Sequence, residues 1–240
     1  MSTVKPYNDP RSKKQQVEEM FDNIAHRYDF LNHLLTLGID IGWRKKAIRF
    51  LAPFQPKQII DIATGTGDFA IAALSLNPEK VIGFDLSDKM MDIGRSKAKQ
   101  ANAEQVLQFI QGDSEKMPFA TESFDAITVG FGVRNFEHLE AGLQEMFRVL
   151  KMGGHVAILE ASMPKNAILR WLFSLYFGKI VPLVGRWFSK DARAYAYLPE
   201  SVKAFPEGND FVKILEATGF KNVKWTPLTF GACAFYTMEK

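Results

Sequence analysis

Short apolar segments that suit buried strands alternate with helical segments through the middle of the chain, and this order restricts the fold more than any other feature. The predicted strands span residues 57–63, 80–87, 106–113, 124–132 and 154–161. Predicted helices follow the first, second and fourth of these strands. Strands that are connected through helices pair in parallel by right-handed crossovers. The pattern therefore predicts a doubly wound α/β sheet.

The carboxy-terminal end follows a different pattern. Residues 220–239 read as two strands joined directly near Gly231, so this pair must be antiparallel. Five parallel strands followed by an antiparallel hairpin make a seven-stranded sheet, which is the arrangement of the class I methyltransferase fold. A nicotinamide-binding domain would continue instead with another helix and a parallel strand. We expect one domain over residues 1–240, because the sequence shows neither a repeat nor a domain boundary.

The first predicted strand leads into a glycine turn, "DIATGTGD" (residues 61–68), which precedes a helix. Gly65 and Gly67 leave room for a ligand to approach the backbone, and Thr66 adds a hydroxyl group at the same bend. Asp85 ends the second strand, 20 residues after Gly65. A carboxylate at that position can accept hydrogen bonds from both hydroxyl groups of a ribose. Together these features indicate a nucleoside-containing ligand.

Two cofactors fit this turn. Ala70 supplies the small residue that a dinucleotide site places three positions after the second glycine, so the spacing alone leaves NAD open. S-adenosylmethionine is favoured by the carboxy-terminal hairpin and by Asp113 and Ser114, which follow the third strand. Such a pair can hydrogen-bond an adenine amino group, although Asp and Ser at this position also suit an ordinary turn.

Four longer segments resemble one enzyme family. Residues 28–43, "YDFLNHLLTLGIDIGW", and 148–162, "RVLKMGGHVAILEAS", resemble the two signatures of the demethylmenaquinone/ubiquinone C-methyltransferase family. "GFGVRN" (130–135) and "YAYLPESV" (195–202) are similar to other family segments. The resemblance extends from about residue 20 to the end of the chain. The chain has Thr36, Asp40 and Met152 where the family usually has Ser, His and Pro, so an imidazole is missing from the amino-terminal segment.

The resemblance implies a role for several single residues. Thr66, Asp85, Asp113 and Ser114 would contact S-adenosylmethionine beside the glycines of the turn. The residues that would face the transferred methyl group are Arg134 and Asn135, and the proton acceptor would be Asp29 or a water molecule. Arg134 would hold an oxyanion on the acceptor ring, because a ring carbon becomes nucleophilic only when a neighbouring phenol gives up its proton.

The remaining polar residues do not form a further site in the sequence. The spacing of the histidines and carboxylates matches no metal site, so none is expected. Cys233, the single cysteine, is expected to pack in the core and indicates a reducing compartment. A basic cluster near the amino terminus, which includes Lys13 and Lys14, is interpreted as a solvated terminus.

Residues 166–195 are unusually apolar and aromatic. Five cations and Pro182 interrupt them, so no run of uncharged apolar residues is long enough to span a bilayer. We expect residues 163–205 to be an inserted hydrophobic lid that holds an isoprenoid tail, and residues 1–50 to be a helical lid segment facing it. The aromatic residues expected to line this lid are Trp171, Phe173, Tyr176, Phe177, Trp187 and Phe188.

The predicted function is S-adenosylmethionine-dependent C-methylation of a reduced prenylated quinone, with demethylmenaquinol favoured over a prenylated benzoquinol. A nicotinamide-dependent reductase and a non-catalytic nucleotide-binding module are the other classes considered. The expected partners are the lipid-soluble quinol and a membrane surface, which the protein would contact transiently. Both a monomer and a homodimer are compatible with the sequence. Nucleic acid is not expected, because the net charge is only +3. A polar start suggests a cytoplasmic location, with peripheral contact at the inner face of the membrane.

Overall fold

The computed structural model describes residues 4–175 and 192–240. Its seven strands are β1 (Gln58–Ile62), β2 (Lys80–Asp85), β3 (Leu107–Gln111), β4 (Phe124–Gly130), β5 (Leu150–Ala161), β6 (Lys221–Leu228) and β7 (Cys233–Glu239). The α-helices are α1 (Lys13–Thr36), α2 (Ile39–Leu51), α3 (Asp68–Ala73), α4 (Asp88–Gln100), α5 (Leu139–Val149), α6 (Ala167–Leu175), α7 (Ala192–Ala204) and α8 (Asn209–Thr218). Each predicted strand is present, so the predicted α/β fold class is confirmed.

The strands form one sheet in the order β3-β2-β1-β4-β5-β7-β6. β1 pairs in parallel with β2 and with β4, so that Ile60 lies between Ile82 and Ile127. β7 is antiparallel to both of its neighbours, β5 and β6. The hairpin at Thr229–Gly231 therefore inserts its second strand between β5 and β6. The predicted closing hairpin is confirmed.

Apolar side chains of the central strands alternate between the two faces of the sheet, as the two-residue period of a strand requires. On one face Ile60 packs in a cluster with residues of α5 and α8. On the other face Ile59 packs with residues of α2, α3 and α4. Burial on both faces explains why these strands read as continuous apolar runs in the sequence.

Three details differ from the sequence interpretation. β5 begins at Leu150, where it pairs with Phe124 across a register shift, whereas the predicted strand begins at residue 154. The part of the basic cluster that begins α1 is not a solvated terminus, because Lys13 is buried and Lys14 pairs with Asp113. Periodicity could not reveal this, since the partners lie about 100 residues further along the chain. Cys233 is buried on β7, as expected.

Within the two described ranges, no helix combines the length and the apolar character that a bilayer crossing would need.

Candidate active site

The carboxyl ends of β1 to β4 meet at one edge of the sheet, and chain connections leave β1 and β4 in opposite directions. Ligands of open α/β sheets bind in the crevice at such a point. A pocket lies there, and its empty space of about 690 Å³ includes solvent at the open mouth.

Asp61, near the end of β1, fixes the shape of the glycine turn. Its carboxylate accepts hydrogen bonds from the Thr64 hydroxyl group at 2.5 Å, the Thr128 hydroxyl group at 2.7 Å and the Ala70 N–H at 3.1 Å. Burial raises the pKa of Asp61 to about 7. The side chain joins β1, β4 and α3 from beneath the turn, and sequence reasoning did not single it out.

The three residues of the turn that the sequence identified lie in different surroundings. Gly65 has a left-handed backbone conformation (φ 54°), lines the pocket and donates its N–H to Asp85. Gly67 also has a positive φ, but a Cβ atom there would lie 2.8 Å from the ring of Phe109. Close packing against β3 is therefore a sufficient reason for this glycine. The buried Thr66 donates its hydroxyl group to Asp29 on α1 at 2.5 Å.

Asp85 presents a carboxylate to the pocket from the end of β2. Its two oxygens accept the N–H groups of Gly65 at 2.8 Å and Ser87 at 2.9 Å. Burial raises the pKa of Asp85, and these two backbone donors oppose that shift. Each oxygen keeps a further lone pair, so a diol can be bound without breaking either backbone hydrogen bond.

Asp113 and Ser114 line the same pocket after β3. The Asp113 carboxylate accepts the Glu115 N–H at 2.9 Å through one oxygen and pairs with the Lys14 ammonium group through the other. Ser114 is buried. Because Lys14 belongs to α1, this ion pair draws the amino-terminal helix onto the pocket.

α1 forms the outer wall of the pocket. The side chains that it contributes to the lining are Lys14, Val17, Glu18, Phe21 and Tyr28. The wall thus mixes apolar and charged groups, while the floor is made of strand ends and glycine backbone. The donor and acceptor set fits a nucleoside with an amino-acid tail, because partly buried carboxylates suit a ribose and an amine, and apolar side chains suit a base.

Arg134 and Asn135 lie on a short 3₁₀ turn, Val133–Asn135, that follows β4. The Arg134 Nη1 atom donates to the Glu160 carboxylate at 2.9 Å and to the Phe131 carbonyl oxygen. Its Nε atom is buried and has no hydrogen-bond partner among the described residues. Asn135 lines the pocket and accepts a hydrogen bond from the Tyr197 hydroxyl group at 3.1 Å.

Glu160 and Tyr197 are the two residues of this region that sequence reasoning missed. Glu160 is fully buried near the end of β5, and burial raises the pKa of its carboxyl group. A carboxylate that interrupts the apolar run "HVAILEA" was the available signal, because buried charges are rare unless they are paired. Tyr197 is buried on α7, which raises its pKa to about 12.

Asp29 belongs to α1 and takes part in a network of ion pairs between α1 and α4. Its carboxylate accepts the Thr66 hydroxyl group through one oxygen and pairs with Lys97 at 2.5 Å through the other. The structure therefore brings Asp29 to the back of the glycine turn, where both oxygens already have partners. Its proposed role as proton acceptor stays a prediction.

His33, Asp40 and Asp68 lie close enough together to share a metal ion. Two cations already neutralise the carboxylates, because Arg44 lies 2.6 Å from Asp40 and Lys97 lies 2.6 Å from Asp68. We interpret these three residues as part of the ion-pair network and not as a metal centre. Asp40, which stands in place of the family's histidine, is fully buried.

The predicted hydrophobic lid is described only at its two ends. In α6 three apolar side chains on one helix face are at least one-third exposed: Ile168, Trp171 and Leu175. Tyr176, Phe177, Trp187 and Phe188 lie outside the described residues. The residues of α7 reach the site through Tyr197.

Comparison with known proteins gives one consistent family. Residues 10–240 match the ubiE/COQ5 methyltransferase family. A demethylmenaquinone methyltransferase of Bacteroides fragilis is 50% identical over 238 residues, covering 99% of this chain and 97% of the relative. A ubiquinone/menaquinone biosynthesis C-methyltransferase UbiE of Geotalea daltonii is 42% identical over 230 residues, covering 95% of this chain and 97% of the relative.

Solved structures agree on the fold. A SAM-dependent methyltransferase of Thermotoga maritima superposes with a TM-score of 0.63 at 20% identity, over 92% of this chain and 99% of that one. An N-methyltransferase of Haemonchus contortus, solved with S-adenosylhomocysteine, gives a TM-score of 0.58 at 16% identity, over 82% of this chain and 53% of that one. The predicted enzyme class, an S-adenosylmethionine-dependent methyltransferase, is confirmed by the family and its relatives. The chain belongs to the ubiE/COQ5 methyltransferase family.

Proposed function

We propose that this protein transfers a methyl group from S-adenosylmethionine to a ring carbon of a reduced prenylated naphthoquinone, converting demethylmenaquinol to menaquinol. The observation that carries the proposal is the buried Arg134 guanidinium at the carboxyl edge of the sheet, whose Nε atom is left without a partner among the described residues. A buried guanidinium N–H that is free of protein partners is suited to a ligand oxygen.

The cofactor half of the site is assigned from the pocket lining. Asp85 would accept the ribose hydroxyl groups, while Asp113 and Ser114 would bind the adenine amino group. Gly65 lines the pocket with backbone alone, so a ligand can lie against it. When bound, S-adenosylmethionine supplies an electrophilic methyl group on a positively charged sulfur atom.

The acceptor half must make a ring carbon nucleophilic. A quinol hydroxyl group becomes a phenolate, the ring carbon forms a bond with the methyl group, and the electron pair of the broken S–C bond stays on sulfur. The ring carbon then loses its hydrogen as a proton and the ring oxygen takes up a proton again, so that one proton is released overall for each methyl group transferred. The Arg134 guanidinium is suited to stabilise the phenolate oxygen, because a fixed cation in a buried site needs little reorganisation.

Two further residues have proposed roles in the same step. Asn135 lines the pocket and is held by the Tyr197 hydroxyl group, so its amide can orient the ring or a bridging water molecule. Asp29 remains the candidate proton acceptor, together with water. The partners of Asp29, Thr66 and Lys97, favour water in that role, since both carboxylate oxygens are engaged.

The choice of a naphthoquinol rests on the relatives. The relative at 50% identity is named for demethylmenaquinone alone, whereas the Geotalea relative at 42% identity is named for both ubiquinone and menaquinone biosynthesis. A prenylated benzoquinol is therefore the less favoured acceptor. A nicotinamide-dependent reductase and a non-catalytic binding module are excluded by the family to which the chain belongs.

The exposed face of α6 supports a contact with the isoprenoid tail or with the membrane surface that holds it. Ile168 is 71% exposed and Trp171 is 63% exposed, and both lie on the same face as Leu175. Large apolar side chains that share one exposed helix face are typical of surfaces that bind lipid. We propose that this face meets the tail at the inner face of the membrane.

The decisive experiment is a methyl-transfer assay with isotopically labelled S-adenosylmethionine and reduced acceptors, followed by mass spectrometry of the extracted quinones. We expect one labelled methyl group on the ring of demethylmenaquinol and at least about tenfold less product from a demethylated benzoquinol with the same tail. Equal rates with both rings would contradict the proposed specificity. Label on an oxygen atom would contradict C-methylation.

The proposed tail contact is tested by Trp171→Asp. We expect the Michaelis constant for a long-tailed quinol to rise about tenfold, because burial of each tail methylene contributes about 0.8 kcal/mol and a charge in its path removes part of that energy. A quinol with a single isoprene unit serves as the control and should be converted normally. Equal losses with both acceptors, together with a lower melting temperature, would show that Trp171 supports the fold instead.

A further inference from the structure

Glu160 is a buried charge that no step proposed so far uses. It is fully buried near the end of β5, where most of its neighbours are apolar. Its two oxygens lie 2.9 and 3.3 Å from the Nη1 atom of Arg134. An unpaired carboxylate would be very costly at such a position, so the pair forms one electrostatic unit.

The way in which Arg134 is held leaves the Nε–H of its guanidinium without a hydrogen-bond partner among the described residues. Nη1 donates to both Glu160 and the carbonyl oxygen of Phe131. The Nε–H is buried and has no partner among the described residues, and the side chain as a whole is only 7% exposed. A guanidinium is planar, so fixing Nη1 also fixes the direction of the Nε–H.

We propose that Glu160 is a positioning residue for methyl transfer, which aims the Nε–H of Arg134 at the acceptor oxygen and balances the arginine charge. This inference rests on the proposed function of Arg134. In the resting site the pair is neutral overall, which suits a neutral quinol. When the acceptor oxygen gains negative charge during methyl transfer, the Nε–H is already fixed in place to donate to it. The negative charge of Glu160 opposes ionisation of the quinol before methyl transfer begins.

The tyrosines and the cysteine around the pair contribute little charge near neutral pH. Burial raises the pKa of Tyr28 on α1 and of Tyr197 on α7 to about 12. On β7, burial also raises the pKa of Cys233 and Tyr236. The other charged groups on this side are Lys13, whose pKa burial lowers to about 8, and the carboxylates of Glu115 and Glu137, which interact with Lys13. Among the described residues, Glu160 is the carboxylate in direct contact with the Arg134 guanidinium.

The first test measures the ionisation of a bound phenol without any methyl transfer. 4-Nitro-1-naphthol, a bicyclic phenol whose anion absorbs visible light, is bound to the protein with S-adenosylhomocysteine and titrated below pH 7. In Glu160→Gln the uncompensated arginine should lower the midpoint by at least about half a pH unit, a threefold change in the dissociation constant. An unchanged or higher midpoint would overturn the proposal.

Two variants serve as controls for the titration. Glu160→Asp keeps the charge, so its midpoint should stay within about 0.2 pH units of the original protein. Asp125→Asn removes a carboxylate from the amino-terminal end of β4, where it pairs with Lys151 far from the pocket. That change should leave the midpoint unaltered, and a shift as large as that of Glu160→Gln would overturn the proposal.

The second test separates positioning from a structural role. In Glu160→Gln we expect turnover with a short-tailed demethylmenaquinol to fall at least tenfold, while the dissociation constant for S-adenosylmethionine stays within threefold. Parallel losses of both would overturn the proposal. If Glu160→Gln does not fold, Glu160→Asp decides: lower turnover with normal cofactor affinity and a normal midpoint supports the proposal, and any other result overturns it. If the original protein methylates no quinol, the proposed function fails, and the naphthol titration still decides the role of Glu160.

Discussion

The cofactor half and the acceptor half of the site are built in different ways. In the cofactor half, consecutive strand ends supply the groups, and the Asp85 carboxylate is held by two backbone N–H groups, those of Gly65 and Ser87. In the acceptor half, the central group is a buried ion pair between Arg134 and Glu160, which lie 26 positions apart on different elements. One half depends on backbone geometry, and the other depends on matched buried charges.

This difference decides how each half responds to change. Backbone donors persist when a side chain is replaced, so the cofactor half can lose one contact and keep its shape. A buried ion pair behaves otherwise, because removing one partner leaves the other without compensation. We therefore expect substitutions in the acceptor half to have the larger effects.

The largest effect is expected for Arg134→Met. Loss of the donor to the phenolate oxygen should reduce turnover about 100- to 1,000-fold, the range found when one fixed donor to a developing oxyanion is removed. Glu160 loses its partner, but its buried carboxyl group can take up a proton, since burial raises its pKa. Turnover is measured by methyl transfer, and calorimetry should show cofactor affinity within about threefold of the original. Parallel losses in both would assign Arg134 to the cofactor half.

A smaller effect is expected for Asp85→Asn. The amide oxygen keeps one acceptor for the turn, while the charge that would bind the ribose is lost. Affinity for S-adenosylmethionine should fall about ten- to a hundredfold, or about 1.5–3 kcal/mol. Asp88→Asn, an exposed carboxylate that pairs with Arg95 at the start of α4, is the matched control and should bind normally. Unchanged affinity in folded Asp85→Asn would remove Asp85 from the cofactor site.

The same contrast explains how much the sequence could predict. Strand and helix order, the closing hairpin and the pocket-lining residues Gly65, Asp85 and Asp113 all follow from local patterns, because each strand end is marked by its own motif. Glu160 and Lys13 could not be assigned in that way. Their partners lie far along the chain, and only the folded sheet brings them together. Gly67 shows the reverse case, since its motif predicted ligand contact while packing against Phe109 accounts for it.

The boundary between the two halves can be tested at Gly132, after β4. A Cβ atom at Gly132 would lie 2.4 Å from the Cβ atom of Ala63, which follows β1 and has a left-handed backbone (φ 53°). Gly132→Ala should destabilise the protein by about 1–3 kcal/mol through overpacking. Ala63→Gly in the same chain removes the opposing Cβ atom and the strained conformation, so it should restore most of that loss.

Denaturant unfolding of the two single variants and the double variant measures this coupling. Gly42→Ala is the matched control, because Gly42 lies exposed on α2 and a Cβ atom there would have nothing within 4 Å. In that helix alanine should stabilise by about 0.5–1 kcal/mol, opposite in sign to Gly132→Ala. Additive effects of Gly132→Ala and Ala63→Gly would contradict the contact between the two halves.

The smallest effect concerns Lys13, which ties α1 to the acceptor half. Its ammonium group donates to the carbonyl oxygens of Arg134 at 2.9 Å and Phe136 at 2.8 Å. Burial, followed by the Arg134 charge, lowers the pKa of Lys13 from 10.5 to about 8. Between these values the unfolded chain binds the proton more tightly than the folded protein does, so the stability contributed by this group rises with pH.

Relative to Lys13→Met, the free energy of unfolding should therefore increase by about 1–2 kcal/mol between pH 8 and 10. Lys14→Met changes the neighbouring lysine, which is only partly buried; it is the control and should follow the original protein. The contradicting outcome is that the free energies of unfolding of Lys13→Met and the original protein differ by the same amount at every pH in this range. That result would mean that the Lys13 charge is as well solvated in the folded state as in the unfolded chain. The other contacts of α1 would then hold it to the acceptor half.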